Sequence, residues 1–96
     1  GCMKKAGMSI KDIRQYIELA MQGNDTIDTR LAMFRHQREV LEAQMAELQH
    51  TMSMVDYKCW YYETAKNLGS TKAVDELPDS ALSEELRAVR TRLHEE

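Results

Sequence analysis

The chain has 96 residues, 43% hydrophobic, 30% charged and 6% aromatic, which leaves room for one domain at most and argues against a membrane-embedded chain or a small β-barrel. Thirteen basic residues against sixteen acidic give a formal net charge of −3, so the chain as a whole has no general electrostatic pull toward nucleic acid. Two cysteines cannot build a disulfide framework, no apolar run is long enough to cross a membrane, and the N-terminus lacks an apolar signal segment, so a reducing cytoplasmic setting is expected.

The chain opens Gly1-Cys2-Met3 without an initiator methionine, and its first apolar residues already read as mid-helix; a fragment of a longer protein is expected. Residues 2–8 read as the end of a helix closing at Gly7, with Lys4 and Lys5 in the last turn where positive charge suits the helix dipole. Ser9 is a good N-cap, and Asp12 three residues on completes a capping-box-like pattern. Ile10, Ile13, Tyr16, Ile17 and Ala20 then recur at helical spacing, which predicts an amphipathic helix over 10–21. Gln22-Gly23-Asn24-Asp25 breaks it.

The main signal starts at Ile27. Apolar positions recur by alternating steps of four and three at Ile27, Leu31, Phe34, Arg38, Leu41, Met45, Leu48, Met52, Val55, Cys59 and Tyr62, about five heptads with Arg38 as the one polar interruption. No Gly or Pro intervenes before Gly69. Asp25 or Thr26 can cap the start and Gly69 the end. A helix of about 42 residues would be on the order of 60 Å long, longer than any core this chain can build alone. One reading makes the stripe a face of a monomeric bundle, but the remaining helices are too short to cover it. The other makes it a coiled-coil seam with a second copy, which keeps side chains dry that are each worth about 1.5–3 kcal/mol of burial. The second reading is preferred.

Residues 70–79 read as a polar linker with turn chemistry. Asp79 or Ser80 then caps a final short helix with Leu82, Leu86, Val89 and Leu93 as its narrow stripe. Charge is uneven: residues 1–22 carry Lys4, Lys5, Lys11 and Arg14 against Asp12 and Glu18, and are the one net-positive stretch.

The string Cys2-Met3-Lys4-Lys5-Ala6-Gly7-Met8-Ser9-Ile10-Lys11-Asp12-Ile13, followed by a helix, then Gly23-Asn24-Asp25-Thr26-Ile27-Asp28-Thr29-Arg30-Leu31 and the heptads, resembles the MerR family of bacterial transcription regulators. Ala46-Glu47-Leu48-Gln49 and Asp56-Tyr57-Lys58-Cys59-Trp60-Tyr61-Tyr62-Glu63 look like the middle and end of that family's dimerisation helix. The resemblance covers roughly residues 2–69. It implies a C-terminal dimerisation and effector region, with the winged helix-turn-helix mostly absent. The implied partners are a second copy running antiparallel, promoter DNA through the missing N-terminal domain, RNA polymerase, and a small-molecule effector. Effector binding would change the spacing of two DNA-binding heads and distort a promoter. An isologous antiparallel pairing fixes the register only modulo a heptad; the expected one sets Leu41 near the partner's Met45, Phe34 near Met52 and Ile27 near Cys59. Arg38 either fixes that register or packs its stem while its head reaches the edge.

Metal-sensing relatives place cysteines at the start of the dimer helix and just after it. Here Asp25-Thr26 stands at the first place, and residues 69–78 hold neither Cys nor His. His36, His50 and His94 do not supply four converging ligands, so no metal and no cofactor is expected. Cys2, just before Met3-Lys4-Lys5-Ala6-Gly7, resembles the cysteine of an aldehyde- and electrophile-responsive branch. It reads either as a thiol sensor or as a small packed apolar residue. Cys59 reads as an inert seam thiol. Tyr16, Met21, Tyr57, Trp60 and Tyr61 read either as the wall of an effector pocket or as a core that locks the short helix onto the dimer. No nucleophile–base–acid arrangement or phosphate loop suggests an enzyme.

The expected architecture is all-α: a short helix, a long antiparallel dimeric coiled-coil helix and a short C-terminal helix. Residues 1–24 would be the remnant end of the DNA-binding domain with its linker helix, 25–69 the dimerisation helix, and 70–96 a linker and C-terminal helix. The competing reading is a coiled-coil interaction module with no ligand and no DNA role.

Overall fold

A computed structural model describes residues 1–95. The described residues form five α-helices and no strand: α1 (Cys2–Lys5), α2 (Ile10–Gln22), α3 (Ile27–Leu68), α4 (Thr71–Asp75) and α5 (Glu84–Glu95). They fall into two compact units, Gly1–Ala46 and a second that begins at Glu47. Among the described residues no helix is long and apolar enough to cross a membrane.

In the first unit the short-range signals act as expected. Gly7 takes φ +83 behind α1, and the Met8 amide reaches back to the Met3 carbonyl at 3.2 Å. Ser9 caps α2 by accepting the Asp12 amide at 3.0 Å. Met8 is buried, and Tyr16 meets Phe34 edge to face with ring centroids 5.2 Å apart, so α2 packs on the start of α3. One detail differs from expectation. Neither Asp25 nor Thr26 caps α3; residues Asn24–Thr26 form a single 3-10 turn that runs into it, and the Thr26 hydroxyl points back to carbonyls of α2.

The long helix runs for 42 residues because no Gly or Pro interrupts Ile27–Leu68 and good helix formers fill its surface. Gly69 ends it at φ +95, a left-handed conformation that L-residues with a Cβ avoid, and its amide closes on the Ala65 carbonyl at 2.8 Å.

The second unit builds a small core from Tyr57 and Ala65 on α3, Val74 on α4, and Leu82 and Val89 on the last stretch. Two expectations are corrected here. The segment read as a linker contains α4, capped by Ser70, which accepts the Ala73 amide at 3.1 Å; α4 exists because Val74 can be buried. The final helix starts at Glu84 rather than at 80 or 81. Its cap is Ser83, which accepts the Leu86 amide at 3.2 Å, with Glu84 and Glu85 complementing the dipole in the first turn. Asp79–Ala81 form a 3-10 turn instead, and Leu82 is extended.

Candidate functional site

The heptad positions of α3 present one exposed apolar stripe. Ile27, Leu31, Phe34, Met45, Leu48, Met52, Val55 and Tyr62 are all exposed, Met45 and Leu48 by 71% and 69%, and Cys59 is exposed between them. Leu41 is half-buried. Arg38 is exposed and its Nε donates to Glu42 Oε1 at 3.0 Å, one turn along. Such i,i+4 pairs at the surface contribute only tenths of a kcal/mol. The described chain exposes 7766 Å². A folded monomer of 11.1 kDa ordinarily exposes about 5,700 Å².

A second set of contacts joins the first three helices. A 13-residue helix leaves its last carbonyls without intrahelical partners, and α2 has no basic residue in its last turn. The missing donors come from across the turn. The single proton of the Thr26 hydroxyl is shared between the Leu19 carbonyl at 2.6 Å and the Gly23 carbonyl at 2.9 Å. Arg30 donates from Nε to the Thr26 hydroxyl at 3.1 Å and from Nη2 to the Gly23 carbonyl at 3.2 Å. Thr26 is buried. Two turns further along α3, Gln37 Nε2 donates to the carbonyl of Ala6 at 2.6 Å; Ala6 is the C-cap of α1.

In the second unit Tyr57, Trp60, Tyr61 and Tyr62 form a chain of aromatic contacts with centroids 5.1–6.1 Å apart. Tyr57 is 6% exposed, and burial pushes its hydroxyl above the ordinary value. Tyr61 donates to Asp75 Oδ1 at 2.8 Å, and that hydrogen bond, with the carboxylate's charge, raises Tyr61 as well. Arg90, only 13% exposed in its side chain, donates from Nη2 to the carbonyls of Asp75 and Leu77, both at 2.8 Å. Its Nη1 sits 3.4 Å from Asp79 Oδ1. The Nη1 of Arg92 lies 2.8 Å from His50 Nδ1.

Of the residues read as an effector wall, Tyr16 and Met21 lie in the first unit, and Tyr57, Trp60 and Tyr61 in the second. Met21 is 82% exposed. Cys2 is exposed in the first turn of α1. Among the described residues no three His, Cys, Asp or Glu side chains converge as a metal site would. The sequence pattern missed the Thr26–Arg30 node, the Gln37–Ala6 bond and the Arg90 clamp; the absence of a basic residue at the end of α2 was the one available sign.

Comparison with known proteins adds three findings. The family model described as "MerR, DNA binding" matches residues 2–56, more than half of the chain. An uncharacterized HTH-type transcriptional regulator of Haemophilus influenzae is 40% identical over 82 residues, 83% of this chain and 61% of that protein. The crystal structure of HiNmlR, a MerR family regulator lacking the sensor domain, bound to promoter DNA, is 44% identical with a TM-score of 0.71, and covers 80% of this chain and 58% of that one. The chain thus spans about three-fifths of the length of these relatives. One expectation is corrected: the family match is not to a C-terminal region lacking the DNA-binding part but to the family's DNA-binding model.

Proposed function

Because the chain belongs to the MerR family of transcription regulators, which are not enzymes, we propose that it pairs with an antiparallel copy through α3 and so holds two DNA-binding heads at a fixed separation on a promoter. The observation that carries this reading is the exposed apolar stripe of α3, which no other described element covers. Water-exposed side chains of this size cost about 1.5–3 kcal/mol each relative to burial, and a two-fold partner contributes the same stripe in return. The coiled coil, the homodimer, the promoter and its RNA polymerase, and a cytoplasmic setting all belong to this proposal. The N-terminal unit supplies the DNA-facing side, in keeping with the family match over residues 2–56 and with exposed Lys4, Lys5, Lys11 and Arg14.

A separate effector pocket is not part of this reading. The similar regulator of known structure lacks a sensor domain, and burial of Tyr57 and the Tyr61–Asp75 bond favour packing as the role of the aromatic cluster. Signal reception by the exposed thiol of Cys2 stays within the proposal. It requires that Cys2→Ser abolish the transcriptional response to electrophiles, and an unchanged response removes it.

The test of the dimer is chemical. In a Cys2→Ser background, Ile27→Cys should form an intermolecular disulfide with Cys59 under mild oxidation, and peptide mapping should find the 27–59 linkage. Links between two copies of Cys59 instead would show parallel helices and overturn the proposal.

A further inference from the structure

We infer that Arg30 and Gln37 are positioning residues that lock the DNA-facing helices to the dimer helix, and that the angle they set fixes how far the promoter is distorted. The inference rests on the proposed function and names the joint through which it acts. The two side chains sit seven residues apart on α3, two turns along one face. Each satisfies the C-terminal end of a different preceding helix: Arg30, with Thr26, caps the carbonyls of Leu19 and Gly23 at the end of α2, and Gln37 caps the Ala6 carbonyl at the end of α1. These are the positions where a helix has unpaired acceptors and a negative dipole end. A cation borrowed from the following helix therefore stabilises α2 only when α3 leaves it at one angle. The same holds for Gln37 and α1 at 2.6 Å. Apolar contacts such as Tyr16 on Phe34 tolerate sliding; directional bonds to carbonyls do not. Thr26 is the buried polar residue of the described core, and a buried hydroxyl without its partners is costly, so the node opens as a whole or stays shut.

The variants are Arg30→Ala, Arg30→Lys and Gln37→Glu. Lysine keeps the charge but lacks the planar fork that places Nε on the Thr26 hydroxyl and Nη2 on the Gly23 carbonyl. Glutamate keeps the shape of Gln37 and removes the donor. On this chain, residual dipolar couplings of α2 and of residues 27–46 read the orientation of the two helices. The expected result is a spread of orientations in Arg30→Ala and Gln37→Glu, an intermediate spread in Arg30→Lys, and helical content as in the parent. On the whole regulator, with an operator fragment obtained by in vitro selection and dye-labelled at both ends, energy transfer reads the distortion and anisotropy reads affinity. Dimer mass should be unchanged and the dissociation constant should move by less than about threefold, whereas promoter activation and the transfer change should fall about tenfold. Couplings, transfer and activation all equal to the parent's would overturn the inference. A parent protein that fails to dimerise or to bind the operator would sink the proposed function instead, while the couplings still decide whether the joint is held by these bonds.

Discussion

At the scale of single residues, the second unit depends on a few directional contacts. The phenol of Tyr61 donates to Asp75, and Tyr57 is buried beside Trp60. Both hydroxyls are raised from the ordinary tyrosine value of 10.0. A raised folded-state value means that the stabilisation is fully present below about pH 10 and is lost as pH climbs through the raised value. Phenolate absorbance should therefore include a late step above the ordinary tyrosine range, with loss of the signal of α5 in the same window, and Tyr61→Phe should remove part of that step. A single early step would contradict the assignment. Arg90 carries more. It serves two backbone carbonyls and Asp79 from a nearly covered position. Arg90→Ala leaves those acceptors without their donor, and should destabilise the second unit by about 1–3 kcal/mol. Hydrogen exchange of the α5 amides checks this directly, since exchange should quicken there and stay unchanged in α2.

At the scale of elements, α3 was legible in the sequence and its surroundings were only partly so. Its bounds follow from the absence of Gly and Pro between Ile27 and Leu68 and from the left-handed Gly69, and its stripe from the alternating steps of four and three. The short helix α4 was not legible, because five residues with one buried Val74 make no period. The start of α5 was misplaced because Asp79 and Ser80 look like caps, while Ser83 followed by Glu84 and Glu85 is the pair that the backbone uses. The joint between α2 and α3 escaped for a different reason. A threonine and an arginine that serve carbonyls of an earlier helix leave no repeat to find; only the fold brings them together. The stripe gives the prediction at this scale. Leu48→Lys puts a charge into the middle of the proposed seam and should weaken association about 100-fold or more, as read by the concentration dependence of mass in light scattering. Ala43→Lys, on the opposite side of the same helix, should leave it unchanged. Equal behaviour of the two variants would show that the stripe is not the contact.

At the scale of the whole molecule, the exposed area and the family relationship point the same way. The chain shows 7766 Å² to solvent, about 2,000 Å² more than a folded chain of its mass exposes, and its buried core is confined to a few residues such as Val74 and Val89. The proposed pairing of two copies needs a long element with an exposed apolar face, and α3 is the element that offers one. Sedimentation equilibrium of the chain at micromolar concentration tests this most directly. A single species of about twice 11.1 kDa is the predicted result. A stable particle of one chain mass with α3 still helical would contradict it.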